Sequence, residues 1–269
     1  MHAEFMPNVS QPKAISLLPR EHGAYAQLGV ALAAGLALVA ASPRAWAQAL
    51  ATALAFLASE PFLVLWGRRG EVAKRQGFRA AGRRLALCLA LLLPALGLAW
   101  AGAAQQQIIS VLPGLGFGLA LLGLFLVRRE HSLPGELLAA GAFSFAALPV
   151  AILGGANQNR AWVLALGLTA LHGLGTTLVR GVLSSLKQGS ARAPRGVAVF
   201  LGLALIGGVL AAPLPKILAW APVPLAATAL WVFAAPPFPR NLRTVGWILT
   251  LGSALGALVL LIGLHGFPA

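Results

Sequence analysis

The sequence predicts an all-α, polytopic membrane bundle of nine transmembrane helices, and three observations carry that prediction. Hydrophobic residues make up 59% of the 269 and charged residues only 10%, where a soluble domain holds about 25% charged. Mean hydropathy is +0.84. The apolar residues also gather into stretches close to the ~20 residues a helix needs to cross a bilayer. They lack the alternation of barrel strands, and only helices or closed barrels satisfy the backbone in hydrocarbon.

Each span is bounded by recognisable punctuation. The first, 23–41, stops at Ser42-Pro43-Arg44, and the second, 46–66, closes on a basic loop, 67–84. The third, 85–102, ends before Gln105-Gln106-Gln107. The fourth, 108–127, ends at Arg128 to His131. The fifth, 135–154, follows Pro134 and stops before Asn157 to Arg160. The sixth, 161–183, runs into the basic stretch 184–195. The seventh, 196–212, is cut by Pro213-Leu214-Pro215. The eighth, 216–235, runs to Pro236 to Arg243, and the ninth covers 244–264. This leaves residues 1–22 as an N-terminal cytoplasmic segment and 23–265 as one transmembrane domain. Ala45-Trp46-Ala47 has the form of a signal-peptide cleavage site, but the preceding run is long and Pro43-Arg44 interrupts its approach.

The net charge of +14 reports topology. Seventeen of the 20 Lys and Arg fall on one side of the nine-span arrangement, leaving Arg44, Arg160 and Lys216 on the other. By the positive-inside rule this puts the N-terminus in the cytoplasm and the C-terminus outside. Nucleic acid is therefore not an expected partner; the lipid bilayer and its anionic headgroups are. The single Cys88 excludes a disulfide framework.

Landmarks recur at an offset near 110 residues. Arg20-Glu21-His22 returns as Arg129-Glu130-His131, while Glu60 and Arg68 correspond to His172 and Arg180. Arg83 corresponds to Arg195, and Pro113 to Pro224. The reading is two parallel four-helix repeats, about 20–127 and 129–240, with a ninth helix outside them.

Ionisable residues inside spans are costly and mark functional candidates. Glu60 and His172 qualify as catalytic acid–base candidates. Each precedes an arginine, Arg68 or Arg180, by eight residues, ~12 Å along a helix. These arginines are candidate ligands for an anionic substrate, unless they only reach for headgroups. A Glu60–His172 pair pinning the halves together is the structural alternative. Arg20, Glu21 and His22, where the first span enters the membrane, are further substrate-binding candidates, since a helix N-terminus favours an anion. Glu21 and Glu136 also read as first-turn acids that complement the helix dipole. No metal site or cofactor is expected: the histidines at 2, 22, 131, 172 and 265 lack ligand spacing, and no phosphate-loop, nucleophile-elbow or zincin motif is present.

Pro19-Arg20-Glu21-His22-Gly23-Ala24-Tyr25 resembles the opening of the YwiC-like family of bacterial membrane proteins. Glu60-Pro61 followed by a basic segment to Arg84, then Glu136 and Arg180, extend the resemblance over most of the chain. That family implies no settled activity. The topology is also similar to that of UbiA-type intramembrane prenyltransferases, which implies an active site at the cytoplasmic ends of spans two and six. Those enzymes hold Mg²⁺ and a diphosphate with aspartates. This chain has no Asp, and no carboxylate from His172 to Arg195, so that metal chemistry is not available to it. Three functions stay open: a site for an anionic lipid or isoprenoid headgroup, held by arginines without metal; a small-solute or proton-coupled carrier; and an assembly partner of a membrane complex. No protein partner can be named.

Overall fold

In the computed structural model of the chain, residues 17–19, 22–39, 42–188, 192–235 and 242–266 are described, and among them every regular element is helical. Eleven α-helices follow one another: α1 His22–Ala37, α2 Pro43–Leu65, α3 Glu71–Trp100, α4 Gln105–Ile109, α5 Leu112–Leu126, α6 Leu133–Phe145, α7 Ala147–Leu153, α8 Gln158–Gln188, α9 Arg192–Ala211, α10 Val223–Ala234 and α11 Leu242–His265. A 3-10 turn, Lys216–Trp220, precedes α10.

Each expected span coincides with one helix or a pair in series. Seven are long and apolar enough to cross a membrane: 43–65, 71–100, 105–126, 133–153, 158–184, 216–234 and 242–265. The first and seventh spans correspond to the shorter apolar helices 23–37 and 195–211. The fourth, fifth and eighth spans are each made of two pieces, with Pro113, Pro149 or Pro222 and Pro224 at or near the join. Proline has no N–H to give to the preceding turn and its ring crowds the carbonyl four residues back.

One expectation is corrected. The basic segment 67–84 is not a loop: the turn between α2 and α3 is only five residues long, and α3 begins at Glu71. Its 30 residues rise ~45 Å, well beyond a ~30 Å hydrocarbon core. The basic residues therefore ride on a rigid extension of span three. Arginine and lysine are good helix formers, and Glu71 supplies an acid in the first turn.

The helices form two compact units. Among the described residues, one contains 17–19 and Leu54–Leu91, and the other contains 22–39, 42–53 and those from Leu92 onward. In the larger unit α8 is the hub, packed against α1, α6, α7, α9, α10 and α11. Its Leu164, Leu168, Leu171, Leu174 and Leu178 are all buried. Their spacing of three and four keeps them on one face. They meet Leu225, Ala229 and Val232 of α10, and Leu249, Ala257 and Leu260 of α11. Between membrane helices such contact is driven by close packing, which small residues permit. At Gly256 of α11 an added Cβ would lie 2.6 Å from the Ala221 carbonyl oxygen; at Gly35 of α1 it would lie 2.9 Å from that of Ala147.

Polar clasps complete this unit. Arg44 of α2 donates from Nε to the Ala99 carbonyl (3.0 Å) and from Nη2 to Oε1 of Gln107 (3.2 Å). Trp100 Nε1 donates to Oε1 of Gln48 (2.8 Å). Arg195, only 5% exposed, donates to the Val232 carbonyl in the last turn of α10 (3.1 Å), where a cation complements the helix dipole.

Candidate functional sites: a basic hairpin and a buried imidazole

The turn between α2 and α3 follows from its two glycines. Gly67 and Gly70 have φ of 80° and 94°, in the left-handed region that suits a residue without Cβ. α2 ends in a Schellman motif: the Arg68 N–H reaches the Leu63 carbonyl (3.0 Å) and the Gly67 N–H reaches that of Val64 (3.0 Å). The closure leaves Arg68 and Arg69 beside the end of α2.

Glu60, expected to share a face with Arg68, is instead held by Arg69. Arg69 Nε donates to Oε1 at 2.7 Å and Nη2 to Oε2 at 2.5 Å. The Glu60 side chain is 1% exposed and that of Arg69 31%. This bidentate geometry is the strong form of the carboxylate–guanidinium pair. It answers the cost of a carboxylate within a span, and it commits Glu60 to holding the hairpin. Sequence reasoning missed Arg69 because a spacing of nine points elsewhere on a straight helix. The turn is what brings it back.

Arg68 lies over the Trp66 ring, 5.5 Å from its centroid, and Trp66 packs against Phe62. Beyond the turn, Arg75, Arg79 and Arg83 are exposed at successive steps of four along α3, so they line up on one side. The opposite, buried positions are the small Gly77, Ala81 and Cys88. Like charges four apart in a helix repel by a few tenths of a kcal/mol per pair, a cost that a bound anion removes. Phe62 and Trp66 at the end of α2, and Val72 and Phe78 on α3, are exposed as well, so the hairpin combines aromatic rings with cations as interfacial segments do.

In the larger unit, α6 and α8 run side by side, and their polar residues pair in two places. Near one end Arg180 Nη1 lies 3.3 Å from Oε1 of Glu136, while Nη2 donates to the His131 carbonyl (2.8 Å). Glu136 does sit in the first turn of α6, but it is also the partner of Arg180. Eight residues further in on each helix, His172 Nδ1 lies 2.8 Å from Ser144 Oγ. The Ser144 hydroxyl in turn donates to the Ala140 carbonyl (2.7 Å). One step of four before Arg180 on α8, Thr176 Oγ1 accepts from Gln27 Nε2 of α1 (3.3 Å). His172, Thr176 and Arg180 thus form a polar seam along α8, closed by α6 and α1. Ser144, which sequence reasoning passed over, carried no signal, because serines that bond back to their own helix are common in spans.

The expected residues thus fall into separate settings. Glu60 and Arg68 belong to the hairpin, and His172 and Arg180 to the α6–α8 seam. Arg20 and Glu21 lie outside the described residues, and of His22 only the backbone is described. Among the described residues no group of three or more His, Cys, Asp or Glu could hold a metal ion.

The fold and these sites define a multi-pass helical membrane protein. Residues 18–151 match the family model of the YwiC-like protein, and the chain belongs to that family. No curated protein and no solved structure matches it.

Proposed function

We propose that this YwiC-like membrane protein binds the phosphate-bearing headgroup of a lipid or isoprenoid through the α2–α3 hairpin, without Asp or Mg²⁺ chemistry. The observation that carries the reading is the exposed stripe Arg75, Arg79 and Arg83 on α3, which follows the turn that carries Arg68. Glu60 and Glu71 are the only acids in the hairpin sequence, and Glu60 is already taken by Arg69. Guanidinium groups bind phosphate oxygens in pairs through a planar fork. Each basic residue near an anionic leaflet contributes about 1 kcal/mol. The one-sided charge of the loops supports a reading in which this surface faces the cytoplasm at a bacterial inner membrane, with the C-terminus outside.

The test is binding of an isoprenoid diphosphate to the full chain in nanodiscs, with and without Mg²⁺, alongside Arg68→Ala and the triple change Arg75→Gln, Arg79→Gln, Arg83→Gln. Mg²⁺-independent binding that the triple change weakens about 100-fold, as three such charges imply, supports the reading. Absent binding, or binding indifferent to the arginines, overturns it. A parallel titration with inorganic phosphate separates recognition of the headgroup from that of a free anion.

A further inference from the structure

The hairpin leaves one buried group unused. His172 is 1% exposed, and its Nε2 is buried with no hydrogen-bond partner. Its other nitrogen faces Ser144 Oγ, whose single proton is directed to the Ala140 carbonyl. While that hydroxyl is given to Ala140, Nδ1 is the donor and Nε2 carries a bare lone pair. An unpaired polar atom in a packed interior calls for an explanation, such as an occupant that comes and goes.

The backbone beside it supplies a second, independent observation. The fifth span is broken one residue beyond Phe145: α6 ends there and α7 begins at Ala147. Pro149 has no N–H, so the Phe145 carbonyl receives nothing from that position. The Ala146 N–H turns to the Phe143 carbonyl (3.2 Å) rather than to Ala142. The break therefore sets the C-terminus of a 13-residue helix, with carbonyls released from the regular ladder, next to a neutral imidazole. Residue 144 lies about midway along span 133–153, and 172 about midway along 158–184, so the junction sits near the centre of the bilayer. Helix C-terminal ends favour cations, His⁺ among them. Half-helix ends at mid-membrane coordinate Na⁺ or H⁺ in carriers.

We propose that the Ser144–His172 pair at the break in span five is an intramembrane proton-binding site. Nε2 accepts the proton, Ser144 holds Nδ1, and the C-terminal dipole of α6 offsets the charge. The step is a simple protonation of imidazole to imidazolium, with no bond to heavy atoms made or broken. The nearest other charges in the seam, Glu136 and Arg180, are paired eight residues away along α6 and α8. Of the remaining helices packed on α8, α7 and α10 contain no titratable residue, and α1 contributes Tyr25 and His22. In α9, Arg195 is bound to the end of α10 and Arg192 lies at the first residue; α11 has Arg243 and His265 at its two ends. The seam through Thr176 and Gln27 links the site to the end of the bundle where Glu136 and Arg180 meet.

The test is ¹⁵N-histidine NMR of the full chain in nanodiscs, with the His172 signals assigned from their loss in His172→Gln. At alkaline pH the expected state is an Nδ1-protonated ring with unprotonated Nε2. Acidification should convert it to imidazolium. Pro149→Ala restores a donor for the Phe145 carbonyl and should move the midpoint down by about one unit, a tenfold weaker proton affinity. Ser144→Ala should abolish the Nδ1-protonated preference. An Nε2-protonated ring at alkaline pH overturns the proposal. So does a His172 that stays neutral down to the lowest pH at which the chain remains folded, or a midpoint unchanged in a folded Pro149→Ala.

Discussion

A carboxylate in a transmembrane helix survives only if something neutralises it, and Glu60 shows how local that solution can be. The guanidinium comes from the turn that ends the same helix, nine residues later. Removing it should be expensive: Arg69→Ala leaves a buried, unpaired acid, a loss on the order of 3 kcal/mol. Thermal unfolding in detergent should register a markedly lower midpoint, and Arg69→Ala combined with Glu60→Gln should recover part of it. A double variant as unstable as the single one would mean that the pair is not what matters. At this scale the sequence was only partly legible. Glu60 and His172 stand out because ionisable residues are rare in apolar runs. Their partners Arg69 and Ser144 do not, because the first depends on the geometry of a turn and the second on which helices pack together.

The helices were more legible than the residues. Nine apolar stretches bounded by prolines, glutamines and basic clusters are enough to place nine spans, and the structure has a helix or helix pair at each. What composition hides is where a helix outlasts its apolar part. The first 14 residues of α3 read as loop because they are charged, yet they are helical because Arg, Lys, Ala and Gln favour helix and a two-glycine turn has already reversed the chain. Gly67 is the hinge of that reversal. Gly67→Ala forces a Cβ into the left-handed region, 3.3 Å from Glu71 Oε1, and should cost about 1 kcal/mol. A Gly67→Asn variant, better suited to that conformation, should lose less; equal losses would argue against the left-handed turn. The stripe on α3 makes a separate prediction: the Arg75, Arg79, Arg83 triple change should strip co-purifying anionic lipid from the protein while the thermal midpoint moves little. Lipid content by mass spectrometry decides it.

For the whole molecule, charge distribution makes a prediction about sidedness. Cys88 is the only cysteine, so Cys88→Ala gives a thiol-free background. In intact cells Asn157→Cys should react with an impermeant maleimide, and Arg79→Cys only after the inner membrane is opened. The reverse pattern would invert the topology. Burial is distributed as unevenly as charge. The most apolar 18-residue stretch of span 105–126 is only 6% buried, against 61% in span 133–153, and α5 takes its neighbours mainly from α6. To the bilayer, one apolar side chain on α5 is much like another; on α8, which packs against six other helices, a displaced leucine disturbs the core. The two spans should therefore accumulate substitutions under different rules. A saturation screen for expression should find α5 open to almost any exchange among Leu, Ile, Val, Phe and Ala. The inner face of α8 should accept few, so that drift in this protein is channelled to its lipid-facing rim.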